Sequence, residues 1–288
     1  MANILITGAN GNISSKAIKA LQGSGHKLIG LVRDKGKAKD LEAMGVELRV
    51  GDLTHLRTVE KAFSGVDTAF LLAPPGELAP AQISNGLWGA RQGGVKHVVR
   101  MSAVGAAHDA PTINSRFHAL SDSELERSGL TYTILKPHFF TQNFMGMAKM
   151  IVDQGTIFFA LGDAKLPMID VHDIAETVAK VLANPAPHAG KTYTLTGASA
   201  VGVADVAAAL SKALGKEVKY QPVPVEAAVE NMAKMGAGDY TQTALRDYFT
   251  AYSRGWESQV TPWVKEITGK DPRGLDAFAA EFAAATKR

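Results

Sequence analysis

The sequence predicts an α/β fold in which a doubly wound parallel sheet is covered by helices on both faces. Six short runs rich in Val, Ile and Leu alternate with helix-length segments through the first half of the chain. Each intervening segment is long enough to cross over a sheet, as parallel strands require. A turn containing two glycines directly follows the first apolar run. Together these features favour a three-layer domain that binds ligands where its strands end.

The elements of this fold follow from the length and residue types of each segment. The predicted strands are residues 4–7, 27–32, 46–50, 68–72, 97–101 and 132–135. The predicted crossover helices are residues 15–22, 35–44, 56–63, 81–92 and 115–127. Beyond Pro137 the rhythm loosens, with helices over 141–154, 171–183 and 204–214, extended pieces at 156–160, 191–195 and 217–223, and three or four final helices. We therefore expect a main domain at 1–154 and a smaller α+β domain at 155–288, interleaved so that 171–184 packs on the first.

Composition excludes several classes of function. The 288 residues are 46% hydrophobic and 20% charged, and no apolar run reaches the roughly 18 to 20 residues of a membrane-spanning helix. The absence of cysteine excludes disulfides, thiolate catalysis and Cys-ligated zinc. The net charge of +3 comes from dispersed lysines and arginines, so we expect no nucleic-acid partner. The chain begins with a buried-type strand rather than a secretory signal, and we expect a cytoplasmic protein without a membrane partner.

The stretch ITGANGNIS has the pattern of a loop that holds a pyrophosphate between a strand and a helix. Gly8 allows the sharp turn after the strand, and Gly11 allows the main chain to approach the phosphates, which the helix N-terminus attracts. Asn10 tolerates a left-handed conformation, and Ser14 replaces the usual third glycine. The predicted dinucleotide contacts of this loop are Gly8, Asn10, Gly11, Asn12 and Ile13. The alternative is an empty glycine turn in another kind of α/β protein.

Basic residues after the second predicted strand indicate which nicotinamide dinucleotide binds. A ribose 2′-hydroxyl favours a carboxylate at this point, whereas a 2′-phosphate favours arginine or lysine. The chain reads GLVRDKGKAK, with Arg33 at the end of the strand and Lys37 close behind. This favours NADP(H) as the cofactor. Asp34 could instead turn toward a ribose, and the basic residues could be solvated charges at a helix start.

The ends of the third and fourth predicted strands should lie beside the adenine and ribose, because ligands of open parallel sheets bind beyond the carboxyl ends of the strands. Asp52 could accept a hydrogen bond from the adenine amino group or cap the helix that begins near Thr54. The other predicted cofactor contacts at these ends are Leu53, Leu72, Ala73 and Pro74.

The blocks GVKHVVRMSAVGA, HALSDSELERSGLTYTILKPHFFTQNF and IDVHDIAETVAKVL with KTYTLTG make the chain resemble a known family over nearly its whole length. It resembles the NmrA-like group of atypical short-chain dehydrogenases, and within that group the triphenylmethane reductase and NADPH quinone reductase members. The resemblance implies a Rossmann domain that binds NADP(H) and a small C-terminal domain that closes a substrate cleft over the nicotinamide.

One departure from ordinary short-chain dehydrogenases concerns their catalytic tyrosine and the lysine four positions later. Here Asn114 and His118 occupy that block, and Tyr132 cannot substitute because it lies in the next strand. By the resemblance, His118 replaces the lysine and is the candidate catalytic residue. Its neutral or protonated imidazole could bind the nicotinamide ribose or donate a proton to a reduced substrate. It could also be a polar residue on an exposed helix face.

The resemblance also implies a wall near the nicotinamide after the fifth and sixth strands. Ser102 matches a serine that often lies beside the substrate carbonyl, or it simply ends the strand. The remaining predicted contacts are Pro137 and Phe139 for the cofactor and Phe140, Asn143 and Phe144 for an aromatic substrate. Any of the three phenylalanines could instead be core.

A possible metal motif occurs at Asp170, His172 and Asp173, in a block that begins a helix. Carboxylates are favourable at helix starts, and the sequence offers no converging third ligand, so we expect no metal.

Without a phenolic acid, the expected reaction is direct hydride transfer from NADPH to an electrophilic acceptor, either a quinone or a conjugated aromatic compound such as a triphenylmethane dye. The partner is then a small molecule, and the protein a monomer or homodimer. An alternative is a non-catalytic NADP(H)-sensing regulator that acts through a protein partner. A further alternative, reduction of an activated alkene or benzylic ether, is disfavoured because such relatives keep a lysine where His118 stands.

Overall fold

The fold is taken from a computed structural model, in which residues 1–287 are described. Its strands are β1 Asn3–Ile6, β2 Lys27–Val32, β3 Glu47–Val50, β4 Thr68–Leu71, β5 His97–Met101, β6 Thr131–Pro137, β7 Thr156–Phe159, β8 Lys191–Leu195 and β9 Lys219–Pro222. Its α-helices are α1 Asn12–Leu21, α2 Lys39–Ala43, α3 Leu56–Ala62, α4 Ala79–Gln92, α5 Ile113–Glu126, α6 Ala148–Gln154, α7 Val171–Ala183, α8 Val203–Leu214, α9 Val225–Lys234, α10 Asp239–Ser253, α11 Trp263–Thr268 and α12 Leu275–Thr286. Short 3-10 helices span Lys35–Lys37, Thr141–Met147 and Ala186–His188.

The main sheet has seven strands in the order β3-β2-β1-β4-β5-β6-β8. The pairs from β3 to β6 are parallel, and Ile4 on β1 is in register with Leu28 on β2 and with Thr68 on β4. Chain order reverses between β1 and β4, which is the topological switch point of a doubly wound sheet. The predicted fold class, a Rossmann-type parallel α/β sheet, is confirmed.

The chain divides into two compact units. The first comprises residues 1–109, 114–137 and 174–194, and the second comprises 110–113, 138–173 and the residues from 195 onward. The first long boundary therefore lies after Pro137, whereas the sequence placed it at 154. The segment 191–195, expected in the smaller domain, forms β8 at the edge of the main sheet. A short strand of mixed polar and apolar residues does not reveal which sheet it joins, because its partner is distant in the chain.

The core of the first unit lies between the main sheet and its helices. The apolar residues of α1 recur at Ile13, Ala17, Ile18 and Leu21, a spacing that forms one buried helix face. Phe63, which ends α3, is fully buried in the same unit. Removing its ring would leave a cavity and destabilise the fold by about 3–5 kcal/mol.

The second unit has its own core beside a two-stranded parallel sheet of β7 and β9. Fully buried Phe144, Phe278 and Phe282 pack there with residues of α8. Phe159 on β7 contacts Phe144 at a ring-centroid distance of 5.4 Å. Among the described residues, every helix is too short or too polar to cross a membrane.

Candidate functional site

The predicted site residues of the first unit lie at one end of the main sheet, where its strands finish. Because its strands are parallel, the carboxyl ends of β1 to β6 lie together at this end of the sheet. The turn at residues 8–11 follows β1, Arg33 follows β2, Asp52 follows β3, Leu72 follows β4 and Ser102 follows β5. The structure thus brings together segments that are far apart in the sequence. This end of the sheet includes the switch point at which open α/β sheets bind ligands.

The glycine turn has the backbone geometry that the sequence required at two positions. Gly8 has a φ of +56°, in the left-handed region that favours glycine. A Cβ atom on Gly11 would lie 3.0 Å from the Gly8 carbonyl oxygen, so a side chain there would crowd the turn. Asn10 does not adopt the left-handed conformation that it tolerates, because Glu257 is the only described non-glycine residue with a positive φ. Contact of Asn10 with the cofactor stays a prediction. Gly8 alone makes the left-handed step, and the exposed Asn10 follows in ordinary backbone conformation.

Ser14 fills the place of the third glycine without separating the helix from the strand. Its side chain is fully buried, and its hydroxyl donates a hydrogen bond to the Thr7 carbonyl oxygen at 2.9 Å. Helix α1 begins at Asn12 with Gly11 as its N-cap and no side-chain cap. Its first N–H groups and its positive dipole end are therefore available to an anion. Ile13 packs beneath them as a buried residue.

The basic residues that follow β2 are exposed, and the competing carboxylate is engaged. Arg33 and Lys37 are both exposed, which leaves their charged groups free to reach a phosphate. Asp34 accepts a hydrogen bond from the Gly36 N–H at 2.8 Å and caps the short 3-10 helix. This local role removes much of the reason to assign Asp34 to a ribose. Contact of Arg33 and Lys37 with the 2′-phosphate stays a prediction.

Asp52 makes local hydrogen bonds just after the end of β3. Its Oδ1 accepts hydrogen bonds from the Thr54 N–H at 2.9 Å and the Thr54 hydroxyl at 2.8 Å. The backbone hydrogen bond from Thr54 is the main cause that lowers the pKa of Asp52. These bonds close a turn ahead of α3, which begins at Leu56 with His55 as its N-cap and without a side-chain cap, so the predicted helix cap is wrong. Adenine recognition by the Asp52 carboxylate stays a prediction.

The residues after β3 and β4 that we assigned to adenine and ribose differ in exposure. Leu53 and Ala73 are buried, Leu72 is partly buried and Pro74 is exposed. Thr7 binds the Leu72 backbone through its hydroxyl, at 2.8 Å to the N–H and 3.0 Å to the carbonyl, and so ties the ends of β1 and β4 together.

On the other side of the switch point, buried and partly buried side chains form an ionic cluster at the ends of β5 and β6. Ser102 donates a hydrogen bond to Asp122 Oδ2 at 2.6 Å, and Lys136 Nζ lies 3.6 Å from the same oxygen. Arg100 Nε lies 3.9 Å from Asp122 Oδ1, and neither of these two atoms has a hydrogen-bond partner among the described residues. Arg100 Nη2 contacts His118 Nδ1 at 3.1 Å. We call these five residues the Arg100 cluster.

The contact with Arg100 determines the protonation state of His118. A guanidinium can only donate, so His118 Nδ1 must accept, and the hydrogen of a neutral imidazole then lies on Nε2. Burial lowers the pKa of His118 well below its usual value, and the positive charges of Arg100 and Lys136 act in the same direction. The structure therefore favours a neutral hydrogen-bond donor over the protonated acid that we also considered. Nε2 makes no hydrogen bond to any residue that the structure describes.

The orientation of the Ser102 hydroxyl limits its role. Its hydrogen is used by Asp122, so Ser102 can offer a ligand only its lone pairs while that bond is made. A donor role toward a substrate carbonyl is thereby disfavoured, and contact of Ser102 with the cofactor stays a prediction. Pro137, the last residue of β6, is buried, and its contact with the cofactor also stays a prediction.

In the second unit, the predicted aromatic contacts differ in their exposure. Phe144 is fully buried among the rings of Phe139, Phe159 and Phe278, so its assignment to a substrate was wrong. An apolar ring that fills the core has no surface left for a ligand. Phe139 and Phe140 are partly buried and Asn143 is exposed, and their contacts with cofactor or substrate stay predictions.

The possible metal motif gains a third group that the sequence did not reveal. Asp170, His172 and Glu281 bring ligand atoms within 4.8 Å of one another. Arg273 Nε donates to Asp170 Oδ2 at 3.1 Å, so a guanidinium already balances the buried carboxylate. Asp170 Oδ1 also accepts from the His172 N–H at 2.8 Å and caps α7, as carboxylates do at helix starts. Our reason for excluding a metal was therefore incomplete, and its absence stays a prediction.

Sequence reasoning missed Arg100 and Asp122, which link His118 to the sheet. Two signals were available. Arg100 is a charged residue that follows two valines within β5, and Asp122 follows His118 by four positions, which places both on one face of α5. Thr7 was also missed, because a threonine that ends a strand has no distinctive pattern.

Comparison with known proteins identifies the family of this chain. A sequence model of the NmrA-like family matches residues 1–271. The NAD(P)H azoreductase of Xenophilus azovorans is 34% identical over 285 residues, with 98% of each chain covered. Among solved structures, the NADPH-dependent quinone oxidoreductase of Escherichia coli complexed with NADPH has a TM-score of 0.87 at 26% identity, covering 96% of this chain and 99% of its own. The triphenylmethane reductase of Citrobacter sp. complexed with NADP(H) has a TM-score of 0.85 at 25% identity, covering 98% of this chain and 99% of its own. The chain belongs to the NmrA-like family, as its motifs predicted.

Proposed function

We propose that this protein is an NADPH-dependent reductase that transfers hydride directly to a quinone-like or conjugated aromatic acceptor. Its similarity to an azoreductase, a quinone oxidoreductase and a triphenylmethane reductase supports the coarser statement, that it is an NAD(P)H-dependent oxidoreductase. The observation with most weight is that one end of the sheet brings together a glycine turn and a partly buried, neutral His118. Azo compounds belong to the same class of conjugated acceptors.

The residues of the turn fit a dinucleotide. A Cβ atom on Gly11 would lie 3.0 Å from the backbone of the turn itself. Glycine at this position therefore leaves a cradle of main-chain groups open in front of α1. The N–H groups at the start of α1 would bind the pyrophosphate, and Arg33 with Lys37 would bind the 2′-phosphate. When bound, the reduced nicotinamide supplies the hydride.

The acceptor class follows from what the block at residues 114–118 lacks. By its resemblance to short-chain dehydrogenases, the chain has Asn114 and His118 where ordinary members have their tyrosine and lysine, so we expect no phenol there to protonate a ketone. An acceptor that is already strongly electrophilic needs no such acid, and orientation alone can supply about 7–11 kcal/mol of the barrier. Quinones, azo compounds and triphenylmethane cations are acceptors of this kind.

The test combines binding with turnover. Calorimetry with NADPH and NADH should show tighter binding of NADPH, and the absorbance of NADPH should then fall when quinones, azo dyes or a triphenylmethane dye are added. The Gly11→Val variant should lose both signals, because its side chain fills the cradle. Gly202→Val, at the N-cap of α8 where a Cβ meets no atom closer than 3.7 Å, is the matched control and should keep both.

Two outcomes would contradict the proposal. Tight NADPH binding without turnover of any acceptor would favour a sensor that acts through a protein partner. Failure to bind either dinucleotide would exclude both the reductase and the sensor.

A further inference from the structure

Arg100 is an unusual residue for the centre of a parallel sheet. It lies on β5 with 2% of its surface exposed, between apolar residues of the same strand. Burial lowers its pKa to about 10, which still leaves it protonated at neutral pH. Isolated buried charges are costly, and Asp122 Oδ1, 3.9 Å from Arg100 Nε, is too distant for a hydrogen bond. The guanidinium therefore has a reason to be retained other than stability.

The hydrogen bond that Arg100 does make is with His118, from Nη2 to Nδ1 at 3.1 Å. An imidazole without this donor could carry its hydrogen on either nitrogen. When Arg100 Nη2 faces Nδ1, a hydrogen on Nδ1 would bring two N–H donors into contact, which is unfavourable. Arg100 thus selects the form that carries its hydrogen on Nε2, an atom without a hydrogen-bond partner among the described residues.

The cluster also keeps an excess of positive charge near that donor. Two cations, Arg100 and Lys136, face the single carboxylate of Asp122, so one positive charge remains. In a buried setting such a charge stabilises a nearby anion more strongly than it would in water. A neutral imidazole can donate to an oxygen on which negative charge develops, since the donation does not require a full proton transfer.

We infer that Arg100 is a positioning residue that fixes His118 as the neutral Nε2–H tautomer, and that this pair favours acceptors that become anionic on reduction. The inference rests on the proposed reductase function. A neutral quinone that takes up a hydride gains one hydrogen and two electrons and becomes a hydroquinone monoanion, while NADPH becomes NADP⁺. The anionic oxygen would accept from His118 Nε2–H, and its second hydrogen arrives later as a proton from water. A triphenylmethane cation becomes neutral on hydride uptake and needs no such donor.

The positioning role can be measured without turnover. Nitrogen-15 NMR of the histidine-labelled full chain at neutral pH should show His118 with a protonated Nε2 and an unprotonated Nδ1. Arg100→Met should give a mixture of both tautomers, whereas Arg100→Lys, which keeps a charged donor, should retain most of the Nε2–H form. Arg49→Met is the matched control, because it removes another strand arginine, from β3, and should leave the His118 signals unchanged.

The acceptor preference is measured by kinetics with two probes, a neutral benzoquinone and a cationic triphenylmethane dye. Arg100→Met should lower kcat for the quinone by about 10–100-fold and change kcat for the dye by less than about twofold, with NADPH affinity unchanged. Equal losses for both acceptors would overturn the preference. A folded Arg100→Met that keeps the wild-type tautomer would overturn the positioning role.

The failure of the proposed function is distinguishable from the failure of this inference. A wild-type protein that turns over no acceptor, yet shows the Nε2–H signals and loses them in Arg100→Met, would overturn the reductase and the acceptor preference but support the positioning role. A wild-type protein that is active but carries its hydrogen on Nδ1 would overturn the inference alone. If Arg100→Met does not fold, the NMR signals of the wild type and of Arg100→Lys still test the positioning role. A mixture of tautomers in the wild-type protein would contradict that role directly.

Discussion

On the β1–β2 side of the carboxyl end of the sheet, the groups predicted to bind the phosphates are main-chain amides and exposed side chains. On the β5–β6 side, by contrast, the Arg100 cluster consists of buried and partly buried side chains that contact one another. Arg33 is exposed at the first side, and Arg100 is 2% exposed at the second. An exposed arginine can adapt to a charged ligand at little cost in stability. A buried one is held in place by its neighbours, so it can fix the state of another group. The first arrangement suits binding, and the second suits chemistry.

The largest expected effect is on the buried side and concerns stability. Asp122→Ala would leave Arg100 and Lys136 without their shared carboxylate, so we expect the free energy of unfolding to fall by about 3–5 kcal/mol. Asp34→Ala, on the exposed side, removes one capping hydrogen bond and should cost no more than about 1 kcal/mol. Urea denaturation of both variants measures the difference. Equal losses would show that the two sides do not differ in the way we describe.

A pH series extends the contrast to His97, another buried basic group on β5. Burial lowers its pKa from 6.5 to about 4, so between these values the unfolded chain binds a proton that the folded chain does not. His97 therefore does not reduce the free energy of unfolding above pH 6.5. As pH falls from 6.5 toward 4, its protonation in the unfolded chain lowers this free energy by about 3 kcal/mol. The unfolding free energy of His97→Gln should fall less steeply over this range than that of the wild type. The same slope in both proteins would contradict the assignment.

The exposed side should show its effect in cofactor affinity. Arg33→Ala should raise the Kd for NADPH by about 10–100-fold, because a guanidinium can make two charge-assisted hydrogen bonds to a phosphate. The Kd for NADH should change little, and calorimetry with both dinucleotides measures this. A similar loss for NADPH and NADH would remove the assignment of Arg33 to the 2′-phosphate.

The smallest effect is expected at Lys37, four residues beyond Arg33. An exposed lysine acts as a flexible point charge, so Lys37→Ala should raise the Kd for NADPH by about two- to fivefold. The difference should shrink at high salt, since exposed charges are screened. A salt-independent loss of larger size would indicate that Lys37 is held in a buried contact instead.

The same contrast explains which features could be predicted from the sequence. The glycine turn and the parallel sheet follow from local rules, because Gly8 and the alternation of strands and helices are visible in neighbouring residues. The Arg100 cluster depends on residues 100, 102, 118, 122 and 136, which meet only when β5, α5 and β6 are side by side. Phe144 was assigned to the substrate because its exposure depends on packing by distant helices, which no local pattern records.

The most direct measurement is a single turnover of the wild-type protein loaded with one equivalent of NADPH and mixed rapidly with a neutral quinone. We expect the absorbance of the reduced nicotinamide to disappear at a rate that saturates with quinone concentration, because the acceptor binds before hydride transfer. Protein that binds NADPH by calorimetry and leaves this absorbance unchanged with every quinone, azo dye and triphenylmethane dye would contradict a reductase.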